Sequence, residues 1–153
     1  TIVLLTAALL LVAPPLLQGA PTYLIGLGCQ KCGTTTLHAE LNSLPWAAHA
    51  RAKELHFFDR RDVMAAAARG DAAWLARLRA DYLAMWPTTT RRVRYEITPS
   101  YMMARRVPET MAAVLGPALR ANVRFVVVLR EPVHRAFSGM FENVHGSKVI
   151  NDE

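Results

Sequence analysis

The feature that most constrains this chain is an apolar run followed by a glycine loop and a helical pattern. Residues 23–27 (YLIGL) form a short apolar run that is typical of a buried strand. Residues 28–33 (GCQKCG) form the loop, and leucines recur at helical spacing in residues 34–44. We expect Thr34 or a neighbour to cap that helix. Because backbone N–H groups point outward at a helix start, the unit predicts an anion site.

The rest of the chain alternates helical and strand patterns. Helices are predicted at residues 62–68, 71–85, 108–115 and 132–144. Strands are predicted at residues 93–97 and 123–129, and the second (VRFVVVL) has the continuous β-branched character of a strand inside a parallel sheet. This alternation predicts an α/β domain with a parallel sheet. The aromatic side chains expected in its core are Phe57, Phe58, Trp74 and Tyr82.

The basic balance of the chain favours an anionic ligand without indicating nucleic acid. The formal net charge is +6, but the arginines are scattered and form no basic run. A basic surface suits an anionic nucleotide or a polyanionic acceptor. We therefore expect no nucleic-acid partner.

Residues 1–17 (TIVLLTAALLLVAPPLL) are almost wholly apolar and uncharged. This length falls between a signal-peptide core and a membrane span. We expect residues 1–20 to be a signal or anchor segment, and a membrane anchor would place the protein in the secretory pathway, at the Golgi membrane. Upstream sequence outside the protein is the alternative. Residues 21–153 are expected to be the N-terminal part of a longer domain.

The chain has two cysteines, Cys29 and Cys32, in a C-x-x-C pattern inside the glycine loop. Such a pair can be a redox motif or half of a zinc site. No second cysteine or histidine pair stands at suitable spacing, so no metal is expected. Small residues lining a tight loop are the favoured interpretation.

The glycine loop departs from the nucleoside triphosphatase pattern G-x-x-x-x-G-K-[ST]. Gly28 and Gly33 have the right spacing, but Thr34 replaces the lysine, and Lys31 lies before the second glycine. The strongest strand is followed by Arg130 rather than by an aspartate that would bind magnesium. The loop can therefore cradle a phosphate, while the magnesium machinery of a kinase is not seen.

Four segments resemble motifs of the sulfotransferases that use 3'-phosphoadenosine 5'-phosphosulfate. Residues 30–37 (QKCGTTTL) resemble the family's 5'-phosphosulfate loop, and Arg130 with Ser138 resembles its 3'-phosphate element. Residues 53–59 (KELHFFD) and 96–101 (EITPSY) are similar to segments of the heparan sulfate branch. The resemblance implies a P-loop-like three-layer fold around a central parallel sheet, here with its C-terminal part missing.

The resemblance also implies which residues bind the nucleotide donor. Lys31 would offset charge on the leaving-group oxygen. The loop residues that would bind the 5'-phosphate through amides and hydroxyls are Cys32, Gly33, Thr34, Thr35 and Thr36. Arg130 would take the 3'-phosphate as a fork donor, with a hydrogen bond added by Ser138.

On the acceptor side, the resemblance implies Glu54 as the general base that takes a proton from a carbohydrate hydroxyl or amine. His56 and Asp59 would orient Glu54 or the acceptor, and Lys53 would neutralise an acidic sugar. Ile97 stands where a lysine is usual in the family, and this departure bears on substrate choice or activity.

Other functions stay open at this point. A P-loop kinase would share the anion site, and a degenerate relative could bind nucleotide or acidic glycan without turnover. Within the enzyme class, tyrosylprotein and small-molecule sulfotransferases are alternatives to the glycan branch.

Overall fold

The computed structural model describes residues 20–149 and confirms the α/β class. The strands are β1 (Thr22–Gly28), β2 (Ala47–His49), β3 (Val93–Ile97) and β4 (Val123–Val128). The helices are α1 (Thr34–Ser43), α2 (Arg61–Arg69), α3 (Ala72–Leu83), α4 (Val107–Arg120) and α5 (Pro132–Val149), with a 3-10 helix at Pro99–Met102. The apolar segment 1–17 lies outside the described residues.

The four described strands form one parallel sheet in the order β2-β3-β1-β4. Helices α2, α3 and α4 pack together on one face, where the larger core cluster includes Ile25, Phe58, Tyr82 and Val114. Helix α1 covers the other face, where Leu37 and Leu41 pack with Tyr95 and Ile97. The result is the predicted arrangement of three layers around a central parallel sheet.

The strand β2 and the position of Trp74 differ from the predictions. The sequence of β2 (AAH) is too short and lacks the β-branched side chains that indicate a strand. Trp74 was predicted to be buried and is 47% exposed, whereas Leu78 and Tyr82 are buried as expected. A helix turns 100° per residue, so side chains four residues apart drift by about 40° and Trp74 leaves the buried face.

The strand β4 is parallel as predicted, but its burial was predicted wrongly. In the sheet of the described residues it lies at the end of the strand order, next to β1 alone. Side chains on one of its faces are exposed: Phe125 by 53% and Val127 by 47%. The continuous apolar run therefore does not reflect burial on both faces within residues 20–149.

Among residues 20–149, no helix has the length and apolar character needed to cross a membrane.

Candidate active site at the carboxyl ends of the strands

The loop between β1 and α1 is held by residues in left-handed backbone conformations. Gly33 occupies the N-cap of α1 with φ 98°, and Thr34 is the first helical residue. The expectation that Thr34 or a neighbour caps the helix is thus met by Gly33, without a side-chain cap. A side chain at this φ would be strained, which explains the glycine. Lys31 also has a positive φ, of 66°.

Cys29 and Cys32 form a disulfide within this loop. The Cys32 amide donates to the Cys29 carbonyl at 3.2 Å, which closes a turn with Gln30 and Lys31 at its centre. The Cys32 side chain is buried in the core cluster with Leu37 and Leu41. The two cysteines thus lie in the tight loop as predicted, joined by a disulfide that the sequence did not indicate, and the Cys32 side chain faces the core.

A cavity of about 410 Å³ lies beside this loop and gathers most of the predicted site residues. Its lining includes Lys31, Gly33, Thr34, Thr35, Lys53, Glu54, Arg130 and Ser138, together with Gln30 and Pro99, which were not predicted. Four predicted residues are not part of this lining: Cys32, Thr36, His56 and Asp59. The first amides of α1 have no intrahelical acceptors, so this end of the cavity suits an anion.

Arg130 lies next to the glycine loop although it is far away in sequence. Its Nη1 donates to the Lys31 carbonyl oxygen at 3.2 Å. The neighbouring Glu131 instead accepts from the amides of Val133 and His134 at 2.9 and 2.8 Å. These amide hydrogen bonds lower the pKa of the Glu131 carboxyl. Glu131 therefore caps α5, while Arg130 is directed towards the loop.

The acceptor-side residues form a connected polar chain. Lys53 Nζ lies 3.1 Å from Glu54 Oε1, and His56 Nε2 lies 3.6 Å from Glu54 Oε2. On its other side the imidazole contacts Asp59, with Nδ1 2.9 Å from Oδ2. When Nδ1 carries a proton and donates to Asp59, Nε2 is left facing Glu54. His56 and Asp59 thus contact the cavity through Glu54.

Ser100 in the 3-10 helix contacts two of these polar residues, His56 and Asp59. The Ser100 hydroxyl donates to Asp59 Oδ2 at 2.6 Å and lies 3.3 Å from His56 Nδ1. The resemblance of residues 96–101 to a sulfotransferase segment indicates that this stretch belongs to the site. Its sequence does not reveal that Ser100 contacts residues more than forty positions earlier.

Ile97 is buried rather than placed on the acceptor surface. It is 1% exposed and packs in the core cluster beneath α1. A Cβ at Gly26 would lie 2.7 Å from the Ile97 side chain, so the glycine in β1 makes room for it. Position 97 is therefore a core position in this chain.

Within the described part of the chain, no three histidine, cysteine, aspartate or glutamate side chains come together in a group able to hold a metal ion.

Comparison with known proteins gives a match at the level of structure alone. No family model and no curated protein matches the sequence. A solved structure, that of a sulfotransferase from Alicyclobacillus acidocaldarius, matches with a TM-score of 0.59 and 22% sequence identity over 84% of this chain. The chain has a sulfotransferase-like fold. It spans about half the length of that sulfotransferase, 52% of which is covered.

The cavity lies where a fold of this class places its ligand site. Ligands of open parallel α/β sheets bind beyond the carboxyl ends of the strands, where the glycine loop, the 53–59 segment and Arg130 lie.

Proposed function

We propose that this protein transfers a sulfuryl group from 3'-phosphoadenosine 5'-phosphosulfate to a hydroxyl or amine of a carbohydrate. The observation that carries the proposal is the shared cavity. Lys31, the α1 amino end, Arg130 and Ser138 line it together with Glu54. A donor with an anionic group at each end of a nucleoside needs separate anion contacts, and the acceptor needs a base beside the reacting end.

In this proposal the residues of the cavity divide donor binding and proton transfer between them. The amides at the start of α1, with the hydroxyls of Thr34 and Thr35, bind the 5'-phosphate. Arg130 and Ser138 bind the 3'-phosphate. Glu54 takes the proton of the acceptor as its oxygen or nitrogen bonds to sulfur.

Lys31 acts as the bond between sulfur and the bridging phosphate oxygen breaks. Negative charge then grows on the departing phosphate, and the ammonium offsets it without having to give up a proton. The products are the sulfated acceptor and adenosine 3',5'-bisphosphate.

Lys53 has a double role in this scheme. Its ammonium contacts the Glu54 carboxylate and also lines the cavity. It holds the base at the cavity and attracts an acidic sugar, which supports an anionic glycan as acceptor.

We further propose that the protein works in the secretory pathway. The Cys29–Cys32 disulfide supports this compartment, because disulfides persist under oxidising conditions.

Nucleotide binding separates this function from a kinase. Calorimetry on the full-length protein should detect adenosine 3',5'-bisphosphate binding in the presence of a magnesium chelator. Binding of ATP only with magnesium, and no binding of the bisphosphate, would support the kinase and contradict the proposal.

Transfer of labelled sulfate to heparan-type polysaccharide, tyrosyl peptide and phenol then tests the enzyme and its acceptor class. Glu54→Gln should lower kcat by about 10²–10⁴-fold while nucleotide binding is kept. Glu40→Gln is the matched control, because Glu40 is exposed on α1 outside the cavity. Wild-type binding without transfer to any acceptor indicates a non-catalytic relative.

A further inference from the structure

The segment 53–59 carries the proposed base in a backbone that needs outside support. Residues 53–59 are outside helices and strands. Glu54 has φ 61° and His56 has φ 48°, a left-handed conformation that non-glycine residues rarely adopt. Such conformations persist where surrounding structure fixes them.

One phenolic oxygen fixes the buried end of this segment. Tyr101 Oη accepts from the amides of Phe57 at 2.8 Å and Phe58 at 3.3 Å. Its own proton points to Glu96, with Oη 3.3 Å from Oε2. A tyrosine hydroxyl has one donor and two acceptor sites, and here all three are used.

Glu96 in turn orients the Tyr101 hydroxyl. Its side chain is fully buried, and Oε2 also accepts from Thr98 at 3.1 Å, while Oε1 accepts from Tyr82 at 2.8 Å. Burial raises the pKa of Glu96 to about 7 despite these three hydroxyl donors. A buried acid stabilises a core less than an apolar side chain of similar size would. Its presence therefore points to a role other than stability, namely holding the hydroxyl groups that donate to it.

We propose that Tyr101, oriented by Glu96, is a positioning residue that fixes the 53–59 backbone and thereby places the Glu54 carboxylate at the cavity. The role is indirect, because Tyr101 and Glu96 are buried and are not part of the cavity lining. The inference rests on the proposed function for its catalytic consequence, while its structural part stands on the hydrogen bonds alone.

The test compares two tyrosine-to-phenylalanine variants of the full-length protein. Tyr101→Phe removes the oxygen that contacts both Glu96 and the segment, whereas Tyr82→Phe removes a hydroxyl that contacts Glu96 alone. Tyr101→Phe should speed hydrogen exchange of the Phe57 and Phe58 amides by roughly tenfold or more. It should also lower kcat by about 10–100-fold, since small displacements of a catalytic group have effects of that size. The Kd of adenosine 3',5'-bisphosphate should change less than about twofold.

Tyr82→Phe is the matched control. It should lower the unfolding temperature by a similar amount, yet leave the exchange of both amides and kcat within about threefold of wild type. Glu96→Gln keeps an acceptor oxygen for Tyr101 and should retain most of kcat, whereas Glu96→Leu should behave like Tyr101→Phe.

The proposal is overturned if both tyrosine variants alter exchange and kcat equally, because the network would then support the fold in general. It is also overturned if exchange at Phe57 and Phe58 rises with no fall in kcat. If the wild-type protein transfers no sulfuryl group, the proposed function fails, and the exchange difference alone decides the positioning role.

Discussion

The two halves of the cavity differ in how well the elements that carry them are packed. One half comprises the β1–α1 loop and the 53–59 segment, and lies against β1, β3 and α1, where Ile25, Leu41 and Ile97 are buried; we call this the packed half. The other half comprises β4, the connection that carries Arg130, and α5, which carries Ser138, beside exposed apolar side chains; we call this the exposed half.

The two halves differ in how many side-chain and backbone contacts hold the site residues in place. In the packed half a disulfide, a buried acid and a phenol fix the loops that carry Lys31 and Glu54. In the exposed half Leu129 is 68% exposed, and Val133, Phe137 and Phe141 are also exposed. Contiguous apolar surface of this kind usually marks a contact surface. In the proposed function, the packed half carries Lys31 and the base Glu54, and the exposed half carries the second anion contact.

Matched leucine truncations test this comparison most severely. Leu41→Ala should lower the free energy of unfolding by about 2–5 kcal/mol, because Leu41 is fully buried. Leu129→Ala should change it by less than about 0.5 kcal/mol. Urea unfolding of both variants gives the two values. Equal losses would show that Leu129 is covered in the whole protein and that the exposed half is packed as well.

The pH dependence of stability should have opposite signs in the two halves. The Glu96 pKa is raised from 4.5 to about 7, so between these values the folded protein binds more protons than the unfolded chain. The free energy of unfolding therefore falls as pH rises through this window, by up to about 3 kcal/mol. Glu96→Gln removes this term and should gain stability relative to wild type on going from about pH 4 to pH 8.

Glu131→Gln is the control from the exposed half. The pKa of Glu131 is lower in the folded protein than in the unfolded chain, so its ionised carboxylate stabilises the fold at pH values above the unfolded pKa. That contribution is lost as pH falls through the folded pKa. The variant should therefore lose stability relative to wild type at high pH, by a smaller amount because the carboxyl is exposed. Chemical unfolding at both pH values measures the signs, and a Glu96→Gln difference that does not change with pH would contradict the account.

The sequence was sufficient for elements whose signals are local. The glycine loop, Lys31 and the helix after it follow from residues adjacent in the chain, and so does the parallel strand before Arg130. Glu54 and Ser138, which the resemblance implied as site residues, both line one cavity, and their roles stay predictions.

What escaped prediction depends on contacts between distant residues. The hydrogen bond from Tyr82 to Glu96 and that from the Phe57 amide to Tyr101 join positions 14 and 44 apart, and no local pattern encodes them. The C-x-x-C spacing is compatible with a disulfide, a metal site or reduced thiols, so it could not decide between them. The exposure of β4 was missed because a continuous apolar run does not say which of its faces is covered.

The central claim is that a single nucleotide joins the two halves, and nucleotide binding by an Arg130 variant tests it most directly. Calorimetry should show that Arg130→Ala weakens the binding of adenosine 3',5'-bisphosphate by about 10–100-fold. The binding of adenosine 5'-monophosphate should weaken by less than about twofold. Arg105→Ala, which removes an exposed arginine outside the cavity, should alter neither. Equal weakening of both nucleotides, or of neither, would show that Arg130 does not bind the 3'-phosphate and would contradict the account.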